Sequence, residues 1–304
     1  MRKMEFGRFY KPCYNEKVSK IAAHLIQNKI ISISQVCERW GEGIDDVRCY
    51  DTYMIHTVCG AKILKQSEER EVFNYENYLC KGDFNVPQYY GSYRWQDEIW
   101  ILVECIDGKD LRDMEDEMAI GAADSLAQIQ NHFWHENEQM FPVKKNEERF
   151  EIYWKRILKR AMFVADSPTL RMAYQKFLDR QLVCPRTLSN GDYLQFNAVQ
   201  KDKRVMIIDW GFGGIMPYSL DIARFIAHAT ETRATFPFYM NVEQKELFVK
   251  RVYEKLEQKP SYEQYIQDIK LAVLNEYIEF VEAEEDENGW YRNHALELAE
   301  DILI

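Results

Sequence analysis

Three oxygen-bearing side chains with spacing suited to chemistry lie in two short segments, Leu188-Ser189-Asn190-Gly191-Asp192-Tyr193-Leu194-Gln195-Phe196-Asn197 and Ile207-Ile208-Asp209-Trp210-Gly211-Phe212-Gly213-Gly214. An Asp, an Asn five positions later and a second Asp closing an apolar run come together at one end of a predicted hairpin. Oxygen ligands of this kind suit a hard divalent cation such as magnesium. One carboxylate to orient and deprotonate a hydroxyl, with an Asn and an Asp to hold metal against phosphates, is the set that phosphoryl transfer needs. The glycines after Asp209 permit close backbone approach and positive φ. A solvated turn with incidental acids is the plainer reading. The joint pattern G-D-x-x-x-x-N, apolar strand, D-x-G-x-x-G is much more specific than a lone pair of acids.

These segments resemble the aminoglycoside phosphotransferase and choline kinase family, whose fold is similar to that of protein kinases. Gly191, Asp192 and Asn197 match its H-G-D-x-x-x-x-N pattern, and Asp209, Gly211 and Gly214 match its D-x-G-x-x-G. Pro217-Tyr218-Ser219-Leu220-Asp221-Ile222-Ala223 is similar to the family's P-x-x-D-L-A segment, which opens a helix. The resemblance implies that Asp192 is the catalytic base, that Asn197 and Asp209 are magnesium ligands, and that Asp221 is a structural acid steadying the loop. Asn190 stands where the family has His, a side chain expected to organise the loop rather than perform the chemistry. The specific matches are concentrated in residues 188–223.

A kinase also needs a cation for the α- and β-phosphates and an acid to orient it. Lys65 follows Leu64 as the family's strand lysine does, and Lys62 competes with it, out of phase along the strand. In the next helix Glu71, followed by Tyr75 and Tyr78, resembles the family's pattern; Glu76 is less well spaced. Ordinary surface charge is the alternative reading of both Lys65 and Glu71. Trp100 to Gly108 is similar to the hinge strand, whose backbone near Glu104 to Ile106 would read the nucleotide base. Gly41 and Gly43, in Gly41-Glu42-Gly43-Ile44-Asp45-Asp46, stand where a loop should cover the phosphates. Its three acids must then point to solvent, since beside a triphosphate they would repel it.

Hydrophobic periodicity supplies the elements that position these groups. Val18 to Ile30 has helical spacing, short β-rich runs follow, and residues 67–81 return to helical spacing before Pro87. After Asp107-Gly108 the spacing predicts helices over 111–135, 146–164, 168–182, 219–230, 243–257, 261–282 and 290–302. Within that half, 186–216 reads as loop, short strand (Ala198 to Gln200), polar turn, second strand (Val205 to Ile208) and Gly-rich loop. The expected fold is α+β, two-lobed and protein-kinase-like. A small antiparallel β-sheet forms the nucleotide-binding lobe, 1–106, and a mainly helical lobe, 107–304, carries catalysis and acceptor binding.

Composition narrows the function classes. The 304 residues are 46% hydrophobic with only 13 Gly and 8 Pro, enough to bury a core and too ordered for a linker protein. Lys and Arg number 39 against 50 Asp and Glu, and 39 − 50 = −11 disfavours a general nucleic-acid binder. The seven cysteines are scattered without a C-x-x-C pair, so they read as reduced, mostly buried small hydrophobes, with no zinc site and no disulfide framework. No secretory signal and no membrane span is legible, which points to a soluble, cytoplasmic protein.

The last thirty residues hold ten acids and one base, Arg292. Glu282, Glu284, Glu285, Asp286 and Glu287 read as a solvated loop, or as a border of the acceptor cleft that attracts a cation. Phe236, Phe238, Tyr239, Trp290 and Tyr291 read mostly as core, or as cation–π partners of an ammonium ligand. His132 and His135 lack a third ligand and read as ordinary histidines.

The leading expectation is a kinase using Mg2+ and ATP (or GTP) to phosphorylate a hydroxyl of an aminoglycoside-like or amino-alcohol acceptor, with no nucleic-acid or membrane partner. A pseudokinase acting as a binding or regulatory module is the alternative, favoured by Asn190 and the acidic 41–46 loop.

Overall fold

A computed structural model describes residues 7–39, 47–134, 144–229 and 238–304. The chain divides into two compact units, Met1–Gly108 and Lys109–Ile304.

In the first unit, alternation of apolar and polar residues builds a six-stranded antiparallel sheet in the order β1-β2-β3-β4-β6-β5. The strands are β1 (Gly7–Pro12), β2 (Ile30–Arg39), β3 (Val47–Thr57), β4 (Gly60–Ser67), β5 (Tyr89–Trp95) and β6 (Glu98–Glu104). Tyr53 and Ile55 of β3, Leu64 of β4 and Trp100 and Leu102 of β6 point to one face. There they bury against Val18, Ile21 and Ala22 of helix α1 (Glu16–Leu25). Asn15 starts that helix by accepting a hydrogen bond from the Val18 amide at 3.2 Å. It ends earlier than the sequence spacing suggests, because Ile30 already belongs to β2. Helix α2 (Glu69–Asn77) follows β4 directly. Gly41 and Gly43 lie outside the described residues, as does the rest of their loop.

The cysteine reading needs correction. Cys37 of β2 and Cys49 of β3 are directly opposite in register, with Cα atoms 4.0 Å apart, and are joined in a disulfide. Strand pairing makes them neighbours across twelve positions of sequence, a proximity that spacing alone does not display. Nor are the free cysteines mostly buried: Cys184 is, whereas Cys59 and Cys80 are exposed.

The second unit is chiefly helical: α3 (Asp116–His132), α4 (Lys144–Arg160), α5 (Pro168–Val183), α6 (Ser219–Ala227), α7 (Val242–Lys255), α8 (Tyr262–Glu282) and α9 (Trp290–Leu303). Apolar residues three or four apart make one core of α5, α8 and α9, with Phe177, Leu274, Ile278 and Ala299 fully buried. Each large side chain buried there contributes about 1.5–3 kcal/mol. Local chemistry fixes the starts. Ser167 caps α5 with Pro168 in its first turn, and Asn241 and Gln244 form a reciprocal capping box on α7.

Five short strands are embedded among the helices: β7 (Lys109–Asp110), β8 (Arg186–Ser189), β9 (Ala198–Lys201), β10 (Arg204–Ile207) and β11 (Gly214–Pro217). They pair as β10-β9-β7 and β11-β8. The expected hairpin is β9–β10, turning at Asp202 with φ 56°. Gly121 of α3 lets that helix approach β10, since a Cβ there would stand 2.8 Å from a Val205 methyl. Among the described residues no helix is long and apolar enough to cross a membrane.

Candidate active site

Strand pairing brings the two motif segments together. β8 leads into Asn190–Asn197, and β11, antiparallel to it with Gly214 opposite Ser189, follows the Asp209 loop. Asn190, fully buried, ties the loops to each other. Its Nδ2 donates to the carbonyls of Ile208 (3.2 Å) and Asp209 (3.0 Å), and its Oδ1 accepts from the Asp192 amide. An amide side chain therefore organises the loop where the resembling family has His.

Asp221, at the start of α6, collects three donors: the Ser189 hydroxyl (2.7 Å) and the amides of Asn190 (2.7 Å) and Gly191 (3.0 Å). Burial pushes its carboxyl up to about 6 against the pull of these donors. Near neutral pH it is the anion on which the loop is wound. Gly191 has φ +79°, and a Cβ there would collide with the Phe212 carbonyl, so the position requires glycine.

Asp192 is half-buried, with both carboxylate oxygens engaged. Oδ2 accepts from Asn197 Nδ2 at 3.1 Å, and the same nitrogen donates to the Asp192 carbonyl at 2.8 Å. Oδ1 accepts from Arg224 Nε at 3.1 Å and Nη2 at 2.8 Å. Burial raises the Asp192 carboxyl above its ordinary range; Arg224 opposes that shift and the Asp209 charge adds to it.

Arg224 also holds Glu276 of α8, at 2.7 Å. Glu276 in turn meets His228 Nε2 at 3.1 Å, and His228 Nδ1 meets the Tyr291 hydroxyl at 3.1 Å. Burial would raise the Glu276 carboxyl, yet Arg224 and His228 hold it below the usual carboxylate range. Burial keeps His228 neutral, which assigns its proton to Nε2, donating to Glu276, and leaves Nδ1 to accept from Tyr291.

Asn197 and Asp209 are residues that could hold a metal ion. The nitrogen of the Asn197 amide is committed to Asp192, which leaves Oδ1 as the atom it could offer a cation. Asp209 sits at φ 59°, ends the strand return and lies close enough to raise the Asp192 carboxyl electrostatically. Magnesium is commonly held by one or two carboxylates with substrate phosphates and water, not by an all-protein cage. The donor set fits that mode. No cluster of three or more His, Cys, Asp or Glu suited to metal occurs among the described residues.

In the first unit Lys65 Nζ lies 3.0 Å from both oxygens of Glu71, a buried carboxylate that also accepts from the Ser67 hydroxyl at 2.6 Å. Lys62, on the opposite face of β4, stacks over the Tyr90 ring at 3.1 Å. Glu76 accepts from the Tyr89 hydroxyl at an exposed position. Glu104 closes β6, donating its amide to the Gln88 carbonyl at 2.8 Å, and Ile106 follows half-buried.

Part of the acidic tail is engaged. Glu282 accepts from Arg160 at 2.8 Å, and Asp286 caps α9 by accepting from the amides of Tyr291 and Arg292. Glu284 and Glu285 are exposed, while the Glu287 side chain lies outside the described residues. Phe238 and Tyr291 are core. Phe236 and His135 fall outside the described residues, and His132 is exposed against the Phe133 ring.

A cavity of about 310 Å3 opens in the second unit beside Asp192. Arg149, Tyr153, Arg156 and Arg160 of α4 line it, facing Arg224 and the α8 residues Glu276 and Glu279. Sequence reasoning passed over these residues. Arg224 was within reach of it, one helical turn beyond Asp221 on the same face. Arg160, Glu276 and Glu279 carry no local signal, because tertiary packing alone joins α4 and α8 to the loop.

Comparison with known proteins places this geometry in context. The family model described as phosphotransferase enzyme family (APH) matches residues 52–257. No curated protein matches the chain. Among solved structures, an aminoglycoside-3'-phosphotransferase of type VIII is similar at TM-score 0.54 and 12% identity, over 87% of this chain and 100% of that one. An amicoumacin kinase in complex with AMP-PNP, Ca2+ and Ami is similar at TM-score 0.58 and 11% identity, over 95% and 93%. A choline kinase from Cryptosporidium parvum is similar at TM-score 0.54 and 11% identity, over 95% and 94%. At these identities the likeness shows the fold, the two-lobed, protein-kinase-like α+β architecture expected from the motifs.

Proposed function

The chain belongs to the APH phosphotransferase enzyme family, and on that footing we propose that it transfers the γ-phosphoryl group of ATP or GTP to a hydroxyl of a small molecule, with Asp192 as base. One observation supports this most: the Asp192 carboxyl is positioned between the Asn197 amide and the Arg224 guanidinium, while Asn190 fixes the same loop to Asp209.

Each side chain then has a task. Oδ1 of Asp192 already accepts two N–H groups and Oδ2 one, so Oδ2 has room for the acceptor hydroxyl and its proton. Asn197 and Arg224 fix the direction in which that oxygen points, which supplies orientation before the chemistry begins. Magnesium, held at Asn197 and Asp209, would neutralise phosphate charge. Lys65, oriented by Glu71, supplies the cation for the α- and β-phosphates, and backbone at Glu104 to Ile106 together with the Gly41–Gly43 loop holds the rest of the nucleotide. The hydroxyl oxygen bonds to the γ-phosphorus as the bridging P–O bond to the β-phosphate breaks. The electron pair leaves with the nucleoside diphosphate, and the hydroxyl proton passes to Asp192.

Asn190 makes the inter-loop bonds expected of the replaced His, which takes away a reason to read the chain as a binding module without catalysis. The acceptor is a small hydroxylated molecule.

A thermal-shift titration tests the reading. Magnesium with nucleotide should raise the Tm, by the equivalent of about 2.7 kcal/mol at a hundred times Kd, and Asp209→Ala should abolish the magnesium-dependent part. A parent protein indifferent to every nucleotide would refute it.

A further inference from the structure

The Arg224 guanidinium is anchored on two sides. Nε and Nη2 donate to Asp192 Oδ1 at 3.1 and 2.8 Å, and Nη1 donates to Glu276 Oε2 at 2.7 Å. A planar fork keeps its direction only while both anchors stay in place. The second anchor is a carboxylate with freedom to turn, because Oε1 of Glu276 has no bonding partner among the described residues and the side chain lines the cavity. Arg224 also has an alternative partner: Nη1 lies 3.9 Å from Glu279 Oε1.

His228 holds that carboxylate in place. It lies just past the end of α6, four positions after Arg224, so the two side chains share a helix face and converge on the same oxygen, Oε2 of Glu276. A carboxylate only accepts, which puts the imidazole proton on Nε2, 3.1 Å away. The Tyr291 hydroxyl, in the first turn of α9, donates to Nδ1 at 3.1 Å and keeps the ring in that tautomer. Neutralisation does not require this second donor, because Arg224 already pairs with Glu276. Packing does not require it either: His228 is 1% exposed against the rings of Phe280 and Tyr291, surroundings that an apolar side chain also suits. Exchanging a buried polar pair for apolar groups of the same shape costs little stability, so what His228 and Tyr291 add is direction.

Resting on the kinase reading above, we infer that His228 is a positioning residue for the transfer reaction: with Tyr291 behind it, it holds Glu276 in the orientation that keeps Arg224 on Asp192 and away from Glu279. The chain of contacts Tyr291–His228–Glu276–Arg224–Asp192 joins α9, α6 and α8 to the loop that carries the base. Without the Nε2 donor, Glu276 turns and Arg224 follows it or moves to Glu279. Asp192 Oδ1 then loses its two N–H donors, and Oδ2, the oxygen with room for the acceptor hydroxyl, is aimed by Asn197 alone.

Two measurements on the full chain test this without knowledge of the acceptor. The first is the NMR signal of the Arg224 Nε–H in isotope-labelled protein, identified by its loss in Arg224→Gln. Bonded to Asp192, this N–H is expected to be protected from solvent exchange. His228→Leu should abolish the protection and Tyr291→Phe should weaken it. His228→Gln, whose amide nitrogen can donate to Glu276 from the place of Nε2, should keep it. The second is hydrolysis of magnesium-ATP to ADP and phosphate with water as the acceptor. H228L should lower kcat by up to about a hundredfold with the nucleotide KM retained, H228Q should rescue it, and H228L should add nothing in an R224Q background, since both act through one guanidinium. Parent-like protection and kcat in H228L, an H228Q as impaired as H228L, or additive losses in the double variant overturns the proposal. If H228L does not fold, unchanged protection and kcat in Y291F overturns it equally. A parent protein that neither binds nor hydrolyses magnesium-ATP is the separate result that would overturn the kinase reading, and the Nε–H signal then still decides whether His228 holds Arg224.

Discussion

Asp192 sits between two opposing influences, burial that favours its protonated form and a guanidinium that favours its anion. A base must be ionised to act, so activity should fall as pH drops through its raised pKa. Because Arg224 lowers that pKa, Arg224→Gln should raise it, and the acid limb of the kcat/KM profile should move to higher pH. A limb that stays in place or moves down would show that Arg224 does not hold the base. The same variant leaves Glu276 facing only His228, and a Tm loss equivalent to about 3 kcal/mol is expected from breaking the buried pair. At this scale the sequence was informative where chemistry and spacing coincide. Asp192, Asn197 and Asp209 could be picked out because motif spacing fixes them, and the Lys65–Glu71 contact because a strand lysine and a helix acid are close in sequence. Glu276 could not, since its partner Arg224 is 52 residues away and only packing joins them.

Short elements hold the loops in place. β8 and β11 are four residues each, and their pairing places Ser189 opposite Gly214 so that the Asn190–Asp192 turn lies against Phe212. Gly191→Ala tests that packing. The new methyl meets the Phe212 carbonyl and the backbone keeps φ +79°, so a loss of about 1–3 kcal/mol is expected together with reduced kcat. Unchanged stability and kcat would mean the loop is held elsewhere. Long periodic segments gave the helices of the second unit to within a few residues of their ends, except that α3 starts at Asp116, five residues later than the spacing suggests, and the polar turn at 201–204 gave the β9–β10 hairpin. The β8–β11 pair escaped because runs of four residues carry too little periodicity to be read. The Cys37–Cys49 bond escaped because it depends on strand register.

Across the whole molecule, charge is distributed by packing and not by sequence position. Ten acids crowd the last thirty residues, yet Glu276, Glu279 and Glu282 meet Arg224, Arg156 and Arg160 from α6 and α4, and Asp286 caps a helix. Along the chain these acids read as a solvated loop or as a border of the acceptor cleft; in the fold the cavity wall carries four arginines and four carboxylates. The two units each carry part of the proposed chemistry, Lys65 and Glu71 in one and the base with the metal-facing residues in the other. The central claim is that this chain transfers phosphate by way of Asp192, and the rate of transfer in Asp192→Asn tests it most directly. The account predicts a kcat lower by about a hundredfold to ten-thousandfold, with the magnesium-nucleotide thermal shift preserved; transfer at the parent rate would contradict it.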